Sequence, residues 1–280
     1  MYNNKISFLG GGNMASAILG GLIQQGFEPQ NLLAIDPLPT ARKFLTEKYG
    51  IRTATDVSQC ENFLQVSQLI VLCVKPQQLH EALLQLKSTL AHLADSKILT
   101  LSIVAGVRVE DIAKQLGHAK IVRAMPNTPA LIQKGITALF AGQHVSTQDT
   151  SFIDVVCQSI GSAIWVQKET LLDAVTAISG SGPAYVFSML EHLIQSGQAL
   201  GLSAEQAKIL AIQTVIGSGQ LALSSTDSAS QLREKVTSKG GTTFAALEVL
   251  SKHSWGEALE EAVHAANRRA QEMGDEFSNH

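Results

Sequence analysis

The sequence contains few cysteines, and their arrangement follows no recognisable pattern. Its 280 residues include three of them, Cys60, Cys73 and Cys157, which lie far apart. An odd number of scattered cysteines without C-x-x-C or Cys/His spacing argues against both a disulfide framework and a zinc site. The eight histidines show no ligand spacing either, so we expect no metal. Free thiols are typical of a reducing compartment, which predicts a cytoplasmic protein.

Charged residues are also scarce. They make up 16% of the chain, the formal net charge is −3, and the longest basic cluster is Arg268–Arg269. Nucleic acids and anionic membrane surfaces bind basic patches, so neither is expected as a partner. Uncharged stretches such as residues 209–226 contain Gln, Ser and Gly, which indicates buried helices rather than membrane spans.

Apolar segments alternate with helical patterns through the first 167 residues. Strands are predicted for the apolar runs at residues 5–9, 31–36, 68–74, 97–104, 120–125, 135–140 and 162–167. Helical patterns at 15–25 and 39–49 separate the early ones. This alternation predicts an α/β domain over residues 1–167, with a Rossmann-type, mostly parallel sheet covered by helices on both faces.

Residues 168–280 show no strand pattern. Three capping boxes, Ser203 with Gln206, Ser228 with Gln231 and Ser254 with Glu257, predict helix starts. The predicted helix over residues 203–223 is apolar on more than one face, which in a small domain indicates a subunit interface. We therefore predict an all-helical dimerisation domain over residues 168–280, and a homodimer.

A glycine-rich motif links the first strand to the first helix. It consists of Gly10, Gly11, Gly12, Asn13, Met14 and Ala15 and has the form G-x-G-x-x-A. Gly10 permits a tight turn, Gly12 lets a pyrophosphate approach the backbone, and the small Ala15 allows the helix to pack on the strand. A tight turn without a ligand is the alternative, but the strand–turn–helix context favours a dinucleotide site.

Asp36 ends the second predicted strand. An acidic residue there usually accepts hydrogen bonds from the ribose of NAD and repels the 2′-phosphate of NADP. No Arg follows directly, although Arg42 on the next helix could reach that phosphate. Because Asp before Pro37 is also a common turn residue, both cofactors stay open, with NAD slightly favoured.

A second glycine-rich helix start occurs in the predicted helical domain, at residues 238–243. The first turn of a helix presents free N–H groups and the positive end of the helix dipole, which together attract an anion. One dinucleotide needs only one such start. The second is therefore predicted to bind a different anion.

Five motifs together resemble the 1-pyrroline-5-carboxylate reductase family, the last enzymes of proline biosynthesis. They are FLGGGNMASAILGGL at 8–22, VKP at 74–76, RAMPNTPA at 123–130, SGSGPAYVF at 179–187 and SKGGTTFAALEVL at 238–250. The resemblance implies hydride transfer from NAD(P)H to C5 of a cyclic imine, giving L-proline. It also implies a dimer, with larger rings of dimers allowed. The family usually prefers NADPH, so we expect NADPH with NADH also accepted.

The resemblance also implies roles for individual residues. Residues 10–15 would wrap the pyrophosphate and Asp36 would lie by the adenosine ribose. Val74, Lys75 and Pro76 would border the cofactor, with Asn127 near its nicotinamide end. The substrate would be held by Ser238, Gly240, Gly241, Thr242 and Thr243, and also faced by Glu169. The hydroxyl of Thr243 would lie beside the imine nitrogen, which makes Thr243 the expected catalytic residue.

The chain departs from the family pattern in two places, and two other functions stay open. Lys239 stands where the family usually has Pro, and Thr226, Asp227 and the run Ser228-Ala229-Ser230 replace the usual acidic residue and His-Pro-Gly. One alternative is another NAD(P)-dependent reductase, such as a hydroxyacid dehydrogenase, which would need a titratable proton donor. The other is a non-catalytic dinucleotide-binding regulator.

Overall fold

The computed structural model describes residues 3–90 and 98–278. The chain forms two compact units, Met1–Ser181 with Ala266–His280, and Gly182–Ala265. This division by compactness falls a short way beyond the boundary predicted at residue 168, and that boundary stays a prediction.

The first unit contains a sheet with eight strands in its described residues, in the order β3-β2-β1-β4-β5-β6-β7-β8. The strands are β1 Ile6–Leu9, β2 Leu32–Ile35, β3 Arg52–Ala54, β4 Leu69–Leu72, β5 Leu99–Ser102, β6 Ile121–Met125, β7 Gly135–Ala141 and β8 Gly161–Trp165. Neighbouring strands are parallel except β6 and β7, which are antiparallel. The predicted fold class is therefore confirmed. The sequence missed only β3, which has a single buried residue, Ala54.

Helices cover both faces of this sheet. The helices of the first unit are α1 Asn13–Gln24, α2 Pro39–Tyr49, α3 Glu61–Leu64, α4 Pro76–Leu90, α5 Val109–Leu116, α6 Thr147–Gln158 and α7 Leu171–Val175. Phe8 lies in one apolar cluster with residues of α1 and α6, whereas its neighbour Leu9 lies in the other with residues of α4 and α5. Successive residues of a strand point to opposite faces, so a strand covered on both sides appears as a continuous apolar run.

The second unit is helical. It contains α8 Gly182–Ala199, α9 Ala204–Ser224, α10 Ala229–Lys235, α11 Thr242–Lys252 and the first part of α12 Trp255–Ser278. The capping boxes predicted at Ser203 and Ser228 are confirmed. The one predicted at Ser254 is wrong, because this residue has a φ of 52° instead of the extended backbone of a capping serine.

The helix α9 exposes apolar side chains on most of its surface. Ala207 and Ala211 are its buried residues, and Ala207 packs closely against Gly197 of α8. Ile209, Leu210 and Leu223, in contrast, are 54%, 56% and 89% exposed. A run of exposed large apolar residues on one helix marks a protein–protein interface. Within the described residues, no helix is long and apolar enough to cross a membrane.

Candidate active site

The glycine loop is fixed between the ends of neighbouring strands. The Gly10 amide donates to the Ile35 carbonyl (2.8 Å), at the end of β2. Gly10 has a φ of +98°, and a Cβ there would lie 2.7 Å from the Cys73 carbonyl oxygen, just beyond β4. Only glycine tolerates both the left-handed backbone and this close approach.

The start of α1 offers unsatisfied amides to a ligand. Its N-cap is Gly12, so no side chain caps the helix, and a Cβ on Gly12 would meet nothing within 4 Å. Gly12 and Asn13 are exposed, whereas Ala15 is fully buried in the core. An uncapped helix start with open space beside it is the arrangement that binds a phosphate. These residues therefore fit a dinucleotide pyrophosphate.

The parallel strands bring the predicted cofactor residues to one edge of the sheet. Because β2, β1, β4 and β6 point the same way, the segments that follow them share that edge. Asp36 follows β2, Val74 to Pro76 follow β4, and Asn127 follows β6, where its Oδ1 accepts from the Ile136 amide (2.9 Å). Strand order reverses between β1 and β4, the position at which such sheets bind dinucleotides.

The carboxylate of Asp36 is directed at the protein's own backbone. Oδ2 accepts from the Gly11 amide (2.7 Å) and Oδ1 from the Leu38 amide (2.8 Å). The guanidinium of Arg42, a residue of α2, contacts the same loop, with Nη1 donating to the carbonyls of Asp36 (2.7 Å) and Pro37 (2.8 Å). Asp36 is thus a turn residue that also holds the glycine loop, and Arg42 adds a positive charge beside it.

Glu169 is held by an ion pair that the sequence did not predict. Oε1 of Glu169 accepts from the Val109 amide (2.8 Å) and lies 3.1 Å from Nη1 of Arg123, while Nη2 of Arg123 lies 3.9 Å from Oδ1 of Asp173. Arg123 is 5% exposed. Burial raises the pKa of Asp173, although the Arg123 charge opposes this shift. The sequence did contain a signal for this ion pair. Arg123 is a single charged residue inside the apolar run of β6, and a buried strand rarely contains an unpaired Arg.

The segment after α7 contains a π-helical turn, Thr176–Gly180, whose last two residues begin the SGSG motif. The Ser181 amide donates to the Thr176 carbonyl (2.8 Å), the spacing of a π turn. The turn brings Gly180 against β6, where a Cβ on this residue would lie 2.6 Å from Cε of Met125.

The second glycine-rich start forms a tight turn followed by a helix. The Gly241 amide donates to the Ser238 carbonyl (3.0 Å), and Gly240 has a φ of +74°. Gly241 is the N-cap of α11 and has no side-chain cap. Thr242 is exposed and Thr243 half-buried. This uncapped helix start has the features predicted for an anion-binding site.

The sheet and its glycine loop define a dinucleotide-binding oxidoreductase of the Rossmann type. Two family models match the chain, "NADP oxidoreductase coenzyme F420-dependent" over residues 5–106 and "Pyrroline-5-carboxylate reductase dimerisation" over residues 169–273. Pyrroline-5-carboxylate reductase of Synechocystis is 38% identical over 96% of this chain and 98% of the relative. The Pseudomonas aeruginosa enzyme of that name is 35% identical over 99% of both chains.

Solved structures agree with these matches. A pyrroline-5-carboxylate reductase from Coxiella burnetii has a TM-score of 0.88 and 38% identity, covering 97% of this chain and 99% of that one. A Plasmodium falciparum pyrroline carboxylate reductase with NADP bound has a TM-score of 0.85 and 30% identity, over 98% and 99%. The chain belongs to the pyrroline-5-carboxylate reductase family, as its motifs predicted. It is an NAD(P)H-dependent oxidoreductase with a dimerisation domain.

Proposed function

We propose that the chain reduces 1-pyrroline-5-carboxylate to L-proline. NADPH would bind along the carboxyl edge of the sheet, and the carboxylate of the substrate would bind at the start of α11. The reaction is that of the family to which the chain belongs. When bound, the cofactor supplies the hydride, and the chain's own residues bind and orient the reactants. The observation that carries the residue assignment is the pair of uncapped glycine-rich helix starts, one in each unit.

The cofactor residues follow one another along the sheet edge. Asp36 lies on the adenosine side, the loop at residues 10–15 holds the pyrophosphate, and residues 74–76 border the centre. Asn127 lies at the nicotinamide end, because β6 is on the far side of the switch point from β2. The bond from Ile136 to Asn127 fixes its carbonyl oxygen and leaves its amide N–H groups for the ligand.

NADPH is the proposed preferred donor, with NADH also accepted. Both carboxylate oxygens of Asp36 accept backbone amide hydrogen bonds, which offset part of the negative charge that would repel a 2′-phosphate. The described contacts of Arg42 use only Nη1, which leaves Nη2 and Nε for a 2′-phosphate. A relative with NADP bound supports this assignment.

The substrate site is assigned to Ser238, Gly240, Gly241, Thr242 and Thr243. The amides at the start of α11 would bind the substrate carboxylate, and the Thr243 hydroxyl would hydrogen-bond the imine nitrogen. A hydroxyl does not titrate near neutral pH, so Thr243 orients the imine and we expect the iminium proton to arrive with the substrate. Glu169 stays a proposed substrate contact through Oε2, since Oε1 is engaged by Val109 and Arg123.

A Thr243→Ala substitution tests this site. It should lower kcat/KM for the imine by roughly tenfold to a thousandfold, the range for losing an oriented polar contact at a reacting centre. Thr243→Ser keeps the hydroxyl and should retain most of the activity. NADPH affinity, measured by fluorescence titration, should be the same in all three proteins. Weakened NADPH binding with intact imine reduction would assign this loop to the cofactor instead.

The match to a dimerisation domain supports a homodimer. The exposed apolar residues of α9 lie inside the matched region and supply a surface that a second copy would bury. We propose α9 as the centre of this interface, and larger rings built from dimers remain a proposal. Light scattering should give a mass of at least twice the 29.9 kDa of the chain. A monomer at micromolar concentration would contradict the interface.

A cytoplasmic location stays a prediction.

A further inference from the structure

We propose that Arg123 is a positioning residue, which ties the end of β6 to the segment at residues 169–180 and thereby fixes the nicotinamide end of the site. This inference rests on the proposed function in one respect, the location of the nicotinamide beside Asn127. The contacts that carry it all lie within the first unit.

The buried ion pair of Arg123 is weak evidence for a role in stability alone. Its side chain is 6% exposed, and its partners Glu169 and Asp173 are 21% and 16% exposed. Such buried ion pairs often contribute no more to stability than apolar residues of similar volume, because each charge loses its hydration. Arg123 hydrogen-bonds Glu169 and attracts Asp173 from 3.9 Å, and this pairing gives β6 and the segment that carries the two carboxylates a defined relative position.

The segment at residues 169–180 is attached to β6 at both of its ends. At one end Glu169 binds Arg123 and also accepts from Val109, the first residue of α5. At the other end the π turn places Gly180 against the Met125 methyl, so closely that no Cβ fits without moving it. Turns of this kind occur frequently at functional sites.

The contacts of Arg123 and Gly180 affect the residues that follow Arg123 in the chain. Met125 ends β6, and Asn127 lies two residues further, with its carbonyl bound to Ile136. A change in the Arg123–Glu169 geometry would therefore be transmitted to the strand end. Hydride transfer needs reacting atoms about 3–3.5 Å apart, and a shift of about 1 Å can cost roughly a hundredfold in rate. We therefore expect Arg123 to affect turnover more than cofactor affinity.

The kinetic test compares Arg123→Lys with Arg269→Lys. Lys keeps the charge but lacks the planar guanidinium that reaches two carboxylates at once. Arg269 is the matched control, since it also pairs with two carboxylates, those of Glu272 and Glu276, but all three side chains are largely exposed. Arg123→Lys should lower kcat by about tenfold to a hundredfold with KM for NADPH within threefold. The deuterium isotope effect on kcat with C4-deuterated NADPH should increase, and Arg269→Lys should change neither kcat nor the isotope effect.

A second readout does not depend on turnover. The chain has five methionines, so ¹³C-methyl labelling gives few resonances, and Met125→Leu identifies that of Met125. NADPH should shift it, whereas adenosine 2′,5′-bisphosphate, which lacks the nicotinamide, should not. Gly180→Ala should displace the resonance in the free protein, while Gly182→Ala should not, since a Cβ on Gly182 meets nothing within 4 Å. Arg123→Lys should also move it.

The two readouts separate the possible failures. A folded Arg123→Lys protein with kcat within twofold of the unsubstituted chain and an unchanged Met125 resonance would overturn the positioning role. A resonance that responds equally to NADPH and to the bisphosphate would remove Met125 from the nicotinamide end and overturn it too. If the unsubstituted chain failed to reduce the imine, the proposed function would be wrong, and the methyl readout would decide the inference alone.

Discussion

Replacing Lys239 by proline should stabilise the protein. Ser238 to Gly241 form a four-residue turn closed by the Gly241 amide, with the positive φ at Gly240 that a type II turn requires at its third position. Lys239 occupies the second position, whose φ of about −60° is the value that a proline ring fixes. No hydrogen bond from the Lys239 amide occurs among the described contacts, so proline would remove none of them.

The magnitude follows from the unfolded chain. A proline that fits its native backbone reduces the entropy of the unfolded state and stabilises by about 0.4–1 kcal/mol. For a chain of this size that corresponds to an increase in Tm of roughly 1–4 °C. Because the turn positions the amides of the anion seat, a more rigid turn should also lower KM for the imine, by less than tenfold.

The assay is calorimetry of Lys239→Pro and Lys239→Ala at equal protein concentration, since a dimer's Tm depends on concentration. The alanine variant removes the ammonium group without fixing φ, so the difference between the two variants isolates the backbone effect. A lower Tm for proline than for alanine would refute the reasoning. It would mean that the turn needs the Lys239 amide or a different φ.

Two further predictions concern the first unit. Arg42→Gln should lower kcat/KM for NADPH by about tenfold to a hundredfold, because it removes a charge-assisted hydrogen bond worth about 1.5–3 kcal/mol. The kcat/KM for NADH should stay within threefold, and Lys43→Gln, at an exposed neighbouring residue, is the control. Equal losses with both cofactors would remove Arg42 from the phosphate site. The native thiols should resist alkylation at pH 8, because burial raises the pKa of all three cysteines. The pKa of Cys157 rises to about 12, and that of Cys60 rises to about 11, to which the charge of Asp56 also contributes. Rapid labelling of the folded chain would contradict this burial.

The elements that the sequence predicted are those with local causes. Strands buried on both faces favour apolar residues throughout, so β2 and β4 could be located from their composition alone. A capping box needs only a serine and its third neighbour, which sufficed at Ser203 and Ser228. It failed at Ser254 because the preceding helix α11 ends in a left-handed residue there, and the pattern carries no information about φ.

The parts of the site that the sequence could not predict depend on contacts between distant residues. Arg123 and Glu169 are separated by 46 positions, and nothing in either neighbourhood specifies the other. Asp36 is a different case, because the residue was identified correctly as a candidate but the direction of its carboxylate was not. That direction depends on Gly11, 25 positions away, which the fold brings within 2.7 Å.

The two glycine-rich starts differ in what fixes them, and this difference decides where the chain can vary. The first is held by the sheet, because Gly10 binds the end of β2, Gly11 binds Asp36 and no Cβ fits against Cys73. The second is held mainly by its own four-residue turn. Substitution in the first loop would disturb packing between strands, whereas Lys239 in place of the family's usual proline changes the stiffness of the turn and adds an ammonium group to it. Its effect should therefore fall on substrate affinity, and the cofactor seat should be unaffected.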